Sequence, residues 1–365
     1  MGLLLLMVFL FMVPVVSTGC DAARFTATSG WSGAVISDDV IYIGTRQAEL
    51  LALDKETGSF LWSFSDERDQ GMQGIYGSPA VNEDFVFVGG YNGTLYALDK
   101  ARHIKVWDFP TGDKIIGSPV VTSEHVIFGT SEGVLYALDL EQGYEKWKFF
   151  AEDKIWSTPV LHEGNVYFGS LDHNIYSVRI SDGVANWNYK TNGAVASTPM
   201  IMNNRIYVGS FDKNFYALDI DTGTEYWRVP FKANNWFWTK AVSDGDAIFV
   251  GSLDGNLYAI DSDTGMSLWP QPFSTSHPIV SAPTLIPEGV AFGNDEGDFF
   301  LLHSKTGQEI RSFSVRDSIR APLASEKSTV YLSAMNHSVR AADLQGGFWR
   351  ELWCYQTEKH VQKCD

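Results

Sequence analysis

Two cysteines near the C-terminus are the first residues in this sequence whose type and spacing suggest chemistry. Cys354 and Cys364 bound the segment CYQTEKHVQKC. In an oxidising compartment such a pair can close a small loop, which would stabilise the fold by roughly 2–3 kcal/mol. No second Cys or His pair accompanies them in the pattern of a zinc site. We therefore expect a disulfide bond that holds the C-terminal tail.

The third cysteine, Cys20, follows an apolar N-terminal segment. The first 19 residues carry no charged side chain, and the apolar run Leu3 to Val16 is 14 residues long. This length is short for a membrane span and typical of a signal-peptide core. The sequence VVSTGC resembles the lipobox of bacterial lipoproteins, which implies lipidation of Cys20. We expect a signal peptide over 1–19 and a lipidated linker over 20–30; the alternative is an ordinary signal peptide or an N-terminal anchor.

Patterns typical of catalysis or metal binding are sparse. The sequence contains no Gly-x-Ser-x-Gly elbow, P-loop or His-Glu-x-x-His motif. The eight histidines are scattered and form no metal-ligand pair. Asp172, Asp212 and Asp254 are explained by turns. We therefore expect no catalytic residue and no metal site.

The charge balance bears on possible partners. The chain has 27 basic and 44 acidic residues, a formal net charge of −17. Such a surface repels phosphate backbones, which argues against nucleic acid as a partner. With 45% apolar residues, the chain can build a large core.

A repeat supplies the elements that must position these residues. The stretch IFVGSLDGNLYAIDSDTGMSLW, Ile248 to Trp269, reads as two strands, two turns and a third strand. Eight related stretches lie at 41–62, 86–107, 126–147, 166–187, 206–227, 248–269, 290–311 and 330–353. A further strand-sized segment precedes each copy, and no credible helix of ten residues follows the signal segment. Each repeat therefore contains four strands.

Four-stranded units of about 40–45 residues are typical of propeller blades, which stack radially because one blade cannot bury both faces. We therefore predict an all-β fold, an eight-bladed β-propeller of four-stranded antiparallel blades. It occupies residues 31–353 as one domain, and a tail occupies 354–365.

Seven tryptophans close the repeats. They are Trp62, Trp107, Trp147, Trp187, Trp227, Trp269 and Trp353. The pattern Ala-x-Asp-x-x-x-Gly-x-x-x-Trp, as in Ala137 to Trp147, resembles the tryptophan-docking motif of the pyrroloquinoline-quinone-type (PQQ-like) propeller repeat. The second copy has His103 for the glycine, the seventh has Arg311 for the tryptophan, and the eighth places Trp353 two residues late. The resemblance implies that these tryptophans are structural docking residues.

The resembled family includes quinoprotein dehydrogenases, which hold the quinone and a calcium ion on the propeller axis. Many place a bridge between adjacent cysteines beside the cofactor, and this chain has no adjacent cysteine pair. No acidic residue matches a catalytic motif of these enzymes. We therefore expect no cofactor, with PQQ and calcium as the alternative.

Aromatic residues gather where the chain should enter the propeller axis. We expect the innermost strands to begin near Trp31, Tyr76, Ile116, Trp156, Ala196, Phe237, Val280 and Ile319. This register predicts an aromatic cluster at one mouth of the axial channel. Its members are Trp31, Tyr76, Trp156, Trp236 and Trp238. Such a cluster can bind a flat ligand or a partner loop, or it can simply fill the channel or the space between blades.

Length, anchor and architecture together resemble the propeller lipoprotein family of the outer-membrane barrel-assembly machinery. The resemblance implies a non-enzymatic scaffold that docks a protein partner through a propeller face, as a monomer within a larger complex. It implies a lipid-anchored location in the cell envelope, facing the periplasm or the cell exterior. The alternatives are a PQQ-dependent dehydrogenase-like quinoprotein and a small-ligand sensor.

Overall fold

Eight four-stranded antiparallel sheets make up the fold of the computed structural model, which describes residues 30–66 and 71–364. Within each sheet the strands pair in chain order, so every sheet is a simple meander. The first strands of neighbouring sheets contact one another, and the fourth strands carry the most exposed residues. The predicted eight-bladed propeller is therefore confirmed.

The first four blades follow one another along the chain. Blade 1 has β1 Val35–Ser37, β2 Val40–Gly44, β3 Leu50–Asp54 and β4 Phe60–Phe64. Blade 2 has β5 Ala80–Val81, β6 Phe85–Gly89, β7 Thr94–Asp99 and β8 Ile104–Pro110. Blade 3 has β9 Val120–Val121, β10 His125–Gly129, β11 Val134–Asp139 and β12 Glu145–Phe150. Blade 4 has β13 Val160–His162, β14 Asn165–Gly169, β15 Asn174–Arg179 and β16 Ala185–Lys190.

The last four blades complete the ring. Blade 5 has β17 Met200–Met202, β18 Arg205–Gly209, β19 Asn214–Asp219 and β20 Phe231–Lys232. Blade 6 has β21 Val242–Ser243, β22 Ala247–Gly251, β23 Asn256–Asp261 and β24 Phe273–Ser274. Blade 7 has β25 Thr284–Ile286, β26 Gly289–Gly293, β27 Asp298–Leu302 and β28 Glu309–Ser314. Blade 8 has β29 Ala324–Glu326, β30 Thr329–Ser333, β31 Ser338–Asp343 and β32 Arg350–Gln356, with a short 3-10 turn at Gln345–Gly347.

The core lies between blades rather than within one. One cluster joins Tyr167 and Ile175 of blade 4 to Ile206 and Val208 of blade 5, all at 2% exposure or less. Residues on both faces of the second and third strands are buried in this way, because each blade has a neighbour on either side. This explains why these strands are almost continuously apolar.

Each docking tryptophan fastens its own blade to the next. Trp147 lies opposite the small Ala137 in the sheet. Its indole N–H donates to the Ile180 carbonyl of blade 4 at 2.6 Å. Gly183, at φ +73°, lies flat against the ring, where a Cβ atom would come within 2.7 Å of the indole. The glycine of the repeat therefore serves both the turn and the close approach of the ring.

The same indole contact recurs around the ring. Five further tryptophans donate to a carbonyl of the next blade: Trp107 to Leu140, Trp187 to Ile220, Trp227 to Ser262, Trp269 to Ser304 and Trp353 to Lys55. In blade 2, His103 takes the positive φ of the missing glycine (59°) and stacks on Trp62 at 4.8 Å. In blade 7, the Arg311 guanidinium takes the place of the indole and donates to the Gly347 carbonyl.

The ring closes through side chains. The four strands of blade 8 all come from residues 324–356, so no strand is shared between the two ends of the described chain. Trp353 of blade 8 packs on Gly58 of blade 1 and donates to the Lys55 carbonyl at 3.0 Å. The final strand runs to Gln356, three residues beyond the boundary expected at 353.

Blades 5 and 6 correct one expectation about the outer strands. Their fourth strands, β20 and β24, are only two residues long, and Trp227 and Trp269 precede them. Trp269 was expected to lie on the outermost strand. Pro230 and Pro270 follow these tryptophans closely, and proline cannot donate a ladder hydrogen bond. The indoles nonetheless keep their docking contacts.

Candidate ligand site at the mouth of the axial channel

The segment before each inner strand lines the mouth of the axial channel. The inner strands begin about four residues later than the sequence predicted, at positions such as Val35 and Val160. Two positions are also corrected by one residue, because Trp238 and Arg320 line the channel. Phe237 and Ile319 are fully buried in the core between blades. Side chains alternate faces along an extended segment. An error of one residue in the predicted register therefore assigns a core residue to the channel and a channel residue to the core.

The channel encloses a cavity of about 580 Å³. Its lining is mainly apolar, with prolines and valines below the mouth. The residues that ring the mouth, one from each repeat, are Trp31, Tyr76, Ile116, Trp156, Ala196, Trp238, Val280 and Arg320. Four of the five residues predicted for this cluster therefore line the channel, and they form two groups.

The first aromatic group lies at blades 1 and 2. Trp31 and Tyr76 meet edge to face with centroids 4.8 Å apart, and Tyr76 continues to Tyr91 at 5.1 Å. The Arg320 guanidinium lies 5.7 Å from the Trp31 ring and makes a two-pronged ion pair with Asp295, with Nε to Oδ1 at 2.6 Å. The cation of this group therefore already has a counter-ion.

The second aromatic group lies across the channel. Trp156 and Trp238 stand 6.3 Å apart with an interplanar angle of 53°, one repeat on either side of the small Ala196. Phe211 stacks on Trp238 at 5.4 Å and on Trp236 at 4.4 Å. Trp236 was predicted for the mouth, but it supports the far side of Phe211 and does not line the cavity.

A series of hydroxyl groups runs around part of the channel two residues below this ring. The Ser78 N–H donates to Ser118 Oγ at 2.8 Å, and the Ser118 N–H donates to Thr158 Oγ1 at 3.1 Å. The Thr158 N–H donates in turn to Thr198 Oγ1 at 3.4 Å. The next repeat places Lys240 at this position. An ammonium group cannot accept a hydrogen bond, so the series ends at Thr198.

Lys240 projects into the channel, where it is open to water but walled by protein. Among the described residues its ammonium group has no hydrogen-bond or ion-pair partner. Desolvation by the surrounding walls lowers its pKa, and no carboxylate offsets the effect. The sequence interpretation missed Lys240, although its signal was present: the repeat has lysine here where GSPAV has Ser78 and STPVL has Thr158.

The residues of the mouth do not fit a calcium ion. Calcium takes six to eight oxygen ligands, usually including carboxylates. The cavity lining contains no Asp or Glu. Within residues 30–66 and 71–364, no group of three His, Cys, Asp or Glu side chains could hold a metal. The donor set therefore does not support the calcium and quinone of the dehydrogenase-type sites.

The turn aspartates Asp172, Asp212 and Asp254 are held by neighbouring tyrosines. Asp212 accepts the Tyr216 hydroxyl at 2.5 Å and the Asn192 N–H at 3.0 Å. Burial and this hydrogen bond raise the pKa of Tyr216. Equivalent hydroxyl bonds, at 2.7 Å, reach Asp172 and Asp254. Their carboxylates are therefore occupied by the turns of the fold.

The two C-terminal cysteines meet, and the third lies outside the described residues. Cys354 on β32 and Cys364 form a disulfide bond with Cα atoms 5.7 Å apart. The loop between them packs on blade 1, where His360 Nε2 lies 3.5 Å from Glu49 Oε2. Cys20 and the segments 1–19 and 20–29 are not described. In the described part of the chain, no helix has the length and apolar character needed to cross a membrane.

Comparison with solved structures places the fold among known propellers. The crystal structure of BamB from Moraxella catarrhalis superposes with a TM-score of 0.73 at 18% identity, covering 83% of this chain and 93% of that chain. The computationally designed Ika8 protein gives 0.74 at 16% identity, covering 86% and 96%. The quinohemoprotein alcohol dehydrogenase from Comamonas testosteroni gives 0.70 at 15% identity, covering 86% and 71%. At these identities the likeness concerns the fold alone.

Comparison of sequences identifies the family. No curated protein matches the chain. A family described as "outer membrane protein assembly factor BamB" matches it over residues 16–148, 67–271 and 216–362. These overlapping matches span all eight blades. The chain therefore belongs to the family of outer membrane protein assembly factor BamB.

Proposed function

We propose that this protein is a non-enzymatic scaffold of the cell envelope that presents a propeller face to a protein partner during outer-membrane protein assembly. The observation that carries this proposal is the family match from residue 16 to residue 362. The solved BamB structure, matched over 93% of its length, supports the same reading at the level of the fold. We expect the protein to act as a monomer within a larger complex.

The architecture suits such a role physically. Indole hydrogen bonds and ring contacts fasten successive blades, and Trp353 fastens the last blade to the first. The loops of each face are therefore held at fixed positions by a closed ring. A rigid surface loses little conformational entropy when it binds, which favours affinity without chemistry.

Attachment to the membrane is a second part of the proposal. Lipidation of Cys20 would tether the propeller to a membrane from its N-terminus. Lipoproteins carry more than one acyl chain, and two membrane signals are needed for a stable anchor. Replacing Cys20 by serine should move the protein from the membrane fraction to the soluble fraction. Retention of the C20S protein in membranes, with no acyl label on the unaltered protein, would contradict the lipid anchor.

The partner can be found by site-specific photocrosslinking in membranes of the host. Blade 3 offers a matched pair of exposed positions, Lys114 on the mouth face and Glu141 in a turn at the opposite end. We expect one position to capture a component that handles outer-membrane proteins and the other not to capture it. Identification is by mass spectrometry of the crosslinked band. Absence of any such component from both faces would overturn the scaffold proposal.

A quinoprotein enzyme is the alternative function. It is favoured by the likeness in fold to the quinohemoprotein alcohol dehydrogenase. The match covers 71% of the dehydrogenase chain. The acid-free lining of the channel weighs against it. Titration with PQQ and calcium, followed by the absorbance of the quinone, separates the two functions. Saturable binding of quinone with calcium-dependent dye reduction would favour the enzyme.

A further inference from the structure

We infer that the loop closed by the disulfide bond, residues 354–364, is a redox-dependent clasp that fastens blade 8 to blade 1 and so completes the ring. We call this loop the C-terminal clasp. The inference goes beyond the scaffold function proposed above and does not depend on the identity of the partner. Three observations carry it: a junction that the backbone does not cross, the contacts of the clasp, and the positions of its two cysteines.

The junction between blades 8 and 1 differs from the other seven in its connectivity. The chain passes directly from each blade to the next, from blade 1 to blade 8, so the backbone crosses seven junctions. Blade 8 ends at Gln356 and blade 1 begins at Val35, and the described chain shares no strand between them. Two blades that are not joined by the backbone gain more freedom when they separate, so this junction opens more easily than its neighbours.

The packing at this junction is of the same kind as at the others. Tyr331 of blade 8 shares a core cluster with Ile43 and Leu51 of blade 1, each at 4% exposure or less. Trp353 donates its indole N–H to the Lys55 carbonyl. Similar contacts hold junctions that the backbone also crosses, so they do not make up for the missing link. The C-terminal clasp is the additional element at this junction.

The first part of the clasp makes two side-chain contacts with blade 1. Thr357, directly after the last strand, donates its hydroxyl to Gln47 Oε1 at 3.4 Å. His360 Nε2 lies 3.5 Å from Glu49 Oε2, and its ring meets the Phe60 ring edge to face at 6.1 Å. The clasp therefore reaches both the loop before the third strand of blade 1 and the start of its fourth strand.

The end of the clasp holds the turn of blade 1 that receives the docking tryptophan. The Gln362 side-chain amide donates to the Thr57 carbonyl and lies 3.4 Å from Ser59 Oγ. Between these two residues lies Gly58, on which the Trp353 ring packs. Clasp and tryptophan therefore hold the same turn, and both extend from blade 8.

The disulfide bond determines whether these contacts persist. Cys354 is buried on β32, whereas Cys364 is partly exposed, and the bond between them returns the tail to its own blade. Within the loop, Gln356 and Val361 exchange backbone hydrogen bonds at 2.8 and 3.3 Å. Without the disulfide bond, the residues after Gln356 are a chain end, and chain ends fray unless they are tied down.

Formation of the clasp is an oxidation. The two thiols lose two protons and two electrons to an oxidant of the disulfide class, whose own disulfide is reduced to two thiols, and one S–S bond forms. Disulfide bonds persist in extracytoplasmic compartments, whereas thiols stay reduced in the cytoplasm. The clasp therefore couples completion of the ring to an oxidising environment.

Hydrogen exchange of the full-length protein, followed by mass spectrometry, tests the proposal. The segments compared are 50–64 and 338–353 at the junction and 206–219 in blade 5, across the ring. Reduction with tris(carboxyethyl)phosphine, and separately Cys364→Ser, should accelerate exchange at the junction about tenfold or more and leave blade 5 unchanged. Reduction should have no additional effect on Cys364→Ser.

A second variant distinguishes a clasp between blades from a staple within blade 8. Gln362→Ala removes a contact with blade 1 and keeps the disulfide bond, so it should accelerate junction exchange about threefold. Combined with Cys364→Ser it should add nothing, because that contact is already lost. Lys359→Ala is the matched control, since Lys359 is exposed in the same loop and makes none of the contacts with blade 1 described above. It should leave exchange unchanged.

Three results would overturn the proposal. They are unchanged junction exchange after reduction, equal acceleration in blade 5 and at the junction, and multiplication of the effects of Cys364→Ser and Gln362→Ala in the double variant. Circular dichroism establishes that each variant is folded. If Cys364→Ser does not fold, the reduced unaltered protein and Gln362→Ala decide the question, and unchanged junction exchange in Gln362→Ala overturns the clasp.

Discussion

Tryptophan occurs in two regions of this propeller, and the two sets are held differently. At the outer girdle, six of the seven indoles pack on a repeat glycine of the next blade and donate to a backbone carbonyl, as Trp147 does to Ile180. At the channel mouth, Trp156 and Trp238 pack against other aromatic side chains and are partly exposed to solvent. The girdle repeats seven times along the sequence, whereas the mouth has no two identical neighbours.

This difference separates fold from function within one repeat. A side chain that fastens one blade to the next must recur, because every blade packs against a neighbour of the same structure. A side chain that faces the axis meets residues of all the other blades, so its identity is free to vary from repeat to repeat. Departures from the repeat at the axis, such as Lys240, therefore carry more information about binding than the conserved spacing of the girdle does.

The largest expected effect is the loss of a girdle ring. Trp147→Ala should destabilise the protein by about 3–5 kcal/mol, because a buried indole is lost and the Ile180 carbonyl loses its donor. Trp156→Leu should cost less than about 1 kcal/mol, since its ring is only partly buried and leucine keeps the site apolar. Urea unfolding followed by near-ultraviolet circular dichroism measures both. Equal costs would erase the distinction between girdle and mouth.

Alkaline unfolding tests the burial of a tyrosine that packs on a girdle tryptophan. Tyr42 is buried against Trp62, with centroids 5.8 Å apart, and burial raises its pKa to about 12, with Asp38 adding to the effect. The folded pKa exceeds the unfolded value of about 10, so the stabilisation is complete below pH 10 and is lost as pH rises to about 12.

Each pH unit in that window should remove about 1.4 kcal/mol per buried tyrosine. Tyr42→Phe should therefore make the unfolding free energy fall less steeply between pH 10 and pH 11.5. Urea unfolding at half-unit steps measures the slope. An unchanged slope in the folded variant would show that Tyr42 does not contribute to alkaline unfolding.

Substitutions at the glycine that packs on each docking tryptophan should have a smaller effect. Blade 2, which has His103 in place of this glycine, provides the comparison. Gly183→Ala places a Cβ atom about 2.7 Å from the Trp147 ring, at φ +73°. We expect a loss of about 1–3 kcal/mol. His103→Gly in blade 2 should change stability by less than about 1 kcal/mol, because glycine suits the φ of 59° but gives up the stacking on Trp62.

Thermal unfolding of the two variants is the measurement. A Gly183→Ala protein as stable as the unaltered one would show that the ring can shift to admit a methyl group. A large loss in His103→Gly would show that the histidine ring itself, rather than the turn conformation, fastens blades 1 and 2.

The girdle and the blade count could be predicted from the sequence because they depend on local spacing. The four strands of each repeat and the place of Trp147 on the fourth strand of its blade follow from turn residues and alternation. The channel could not be predicted as well. In the segment NNWFWTK, three consecutive aromatic residues leave the frame unmarked: Trp238 lines the channel as predicted, whereas Phe237 is buried in the core and Trp236 does not line the cavity.

Long-range packing explains the rest of what the sequence interpretation missed. Phe211 lies in a turn of blade 5, and only the closed fold brings its ring between Trp236 and Trp238. Arg320 reaches the mouth because the preceding Ile319 turns into the core of blades 7 and 8. Neither contact has a local signature, since each joins residues from different repeats.

The smallest expected effect concerns Lys240 without any ligand. Its lowered pKa means that the folded protein disfavours the charged lysine, so protonation reduces stability below that pKa. Lys240→Met should raise Tm by about 1 °C at pH 7, and the gain should vanish above pH 10.5, where the unfolded lysine is also neutral. Arg320 and Tyr76 are the other titratable groups of the lining, and Asp295 pairs with Arg320 in both proteins. Differential scanning calorimetry across this range measures the gain. A lower Tm in the folded variant at pH 7 would contradict this prediction, because it would mean that Lys240 stabilises the folded protein.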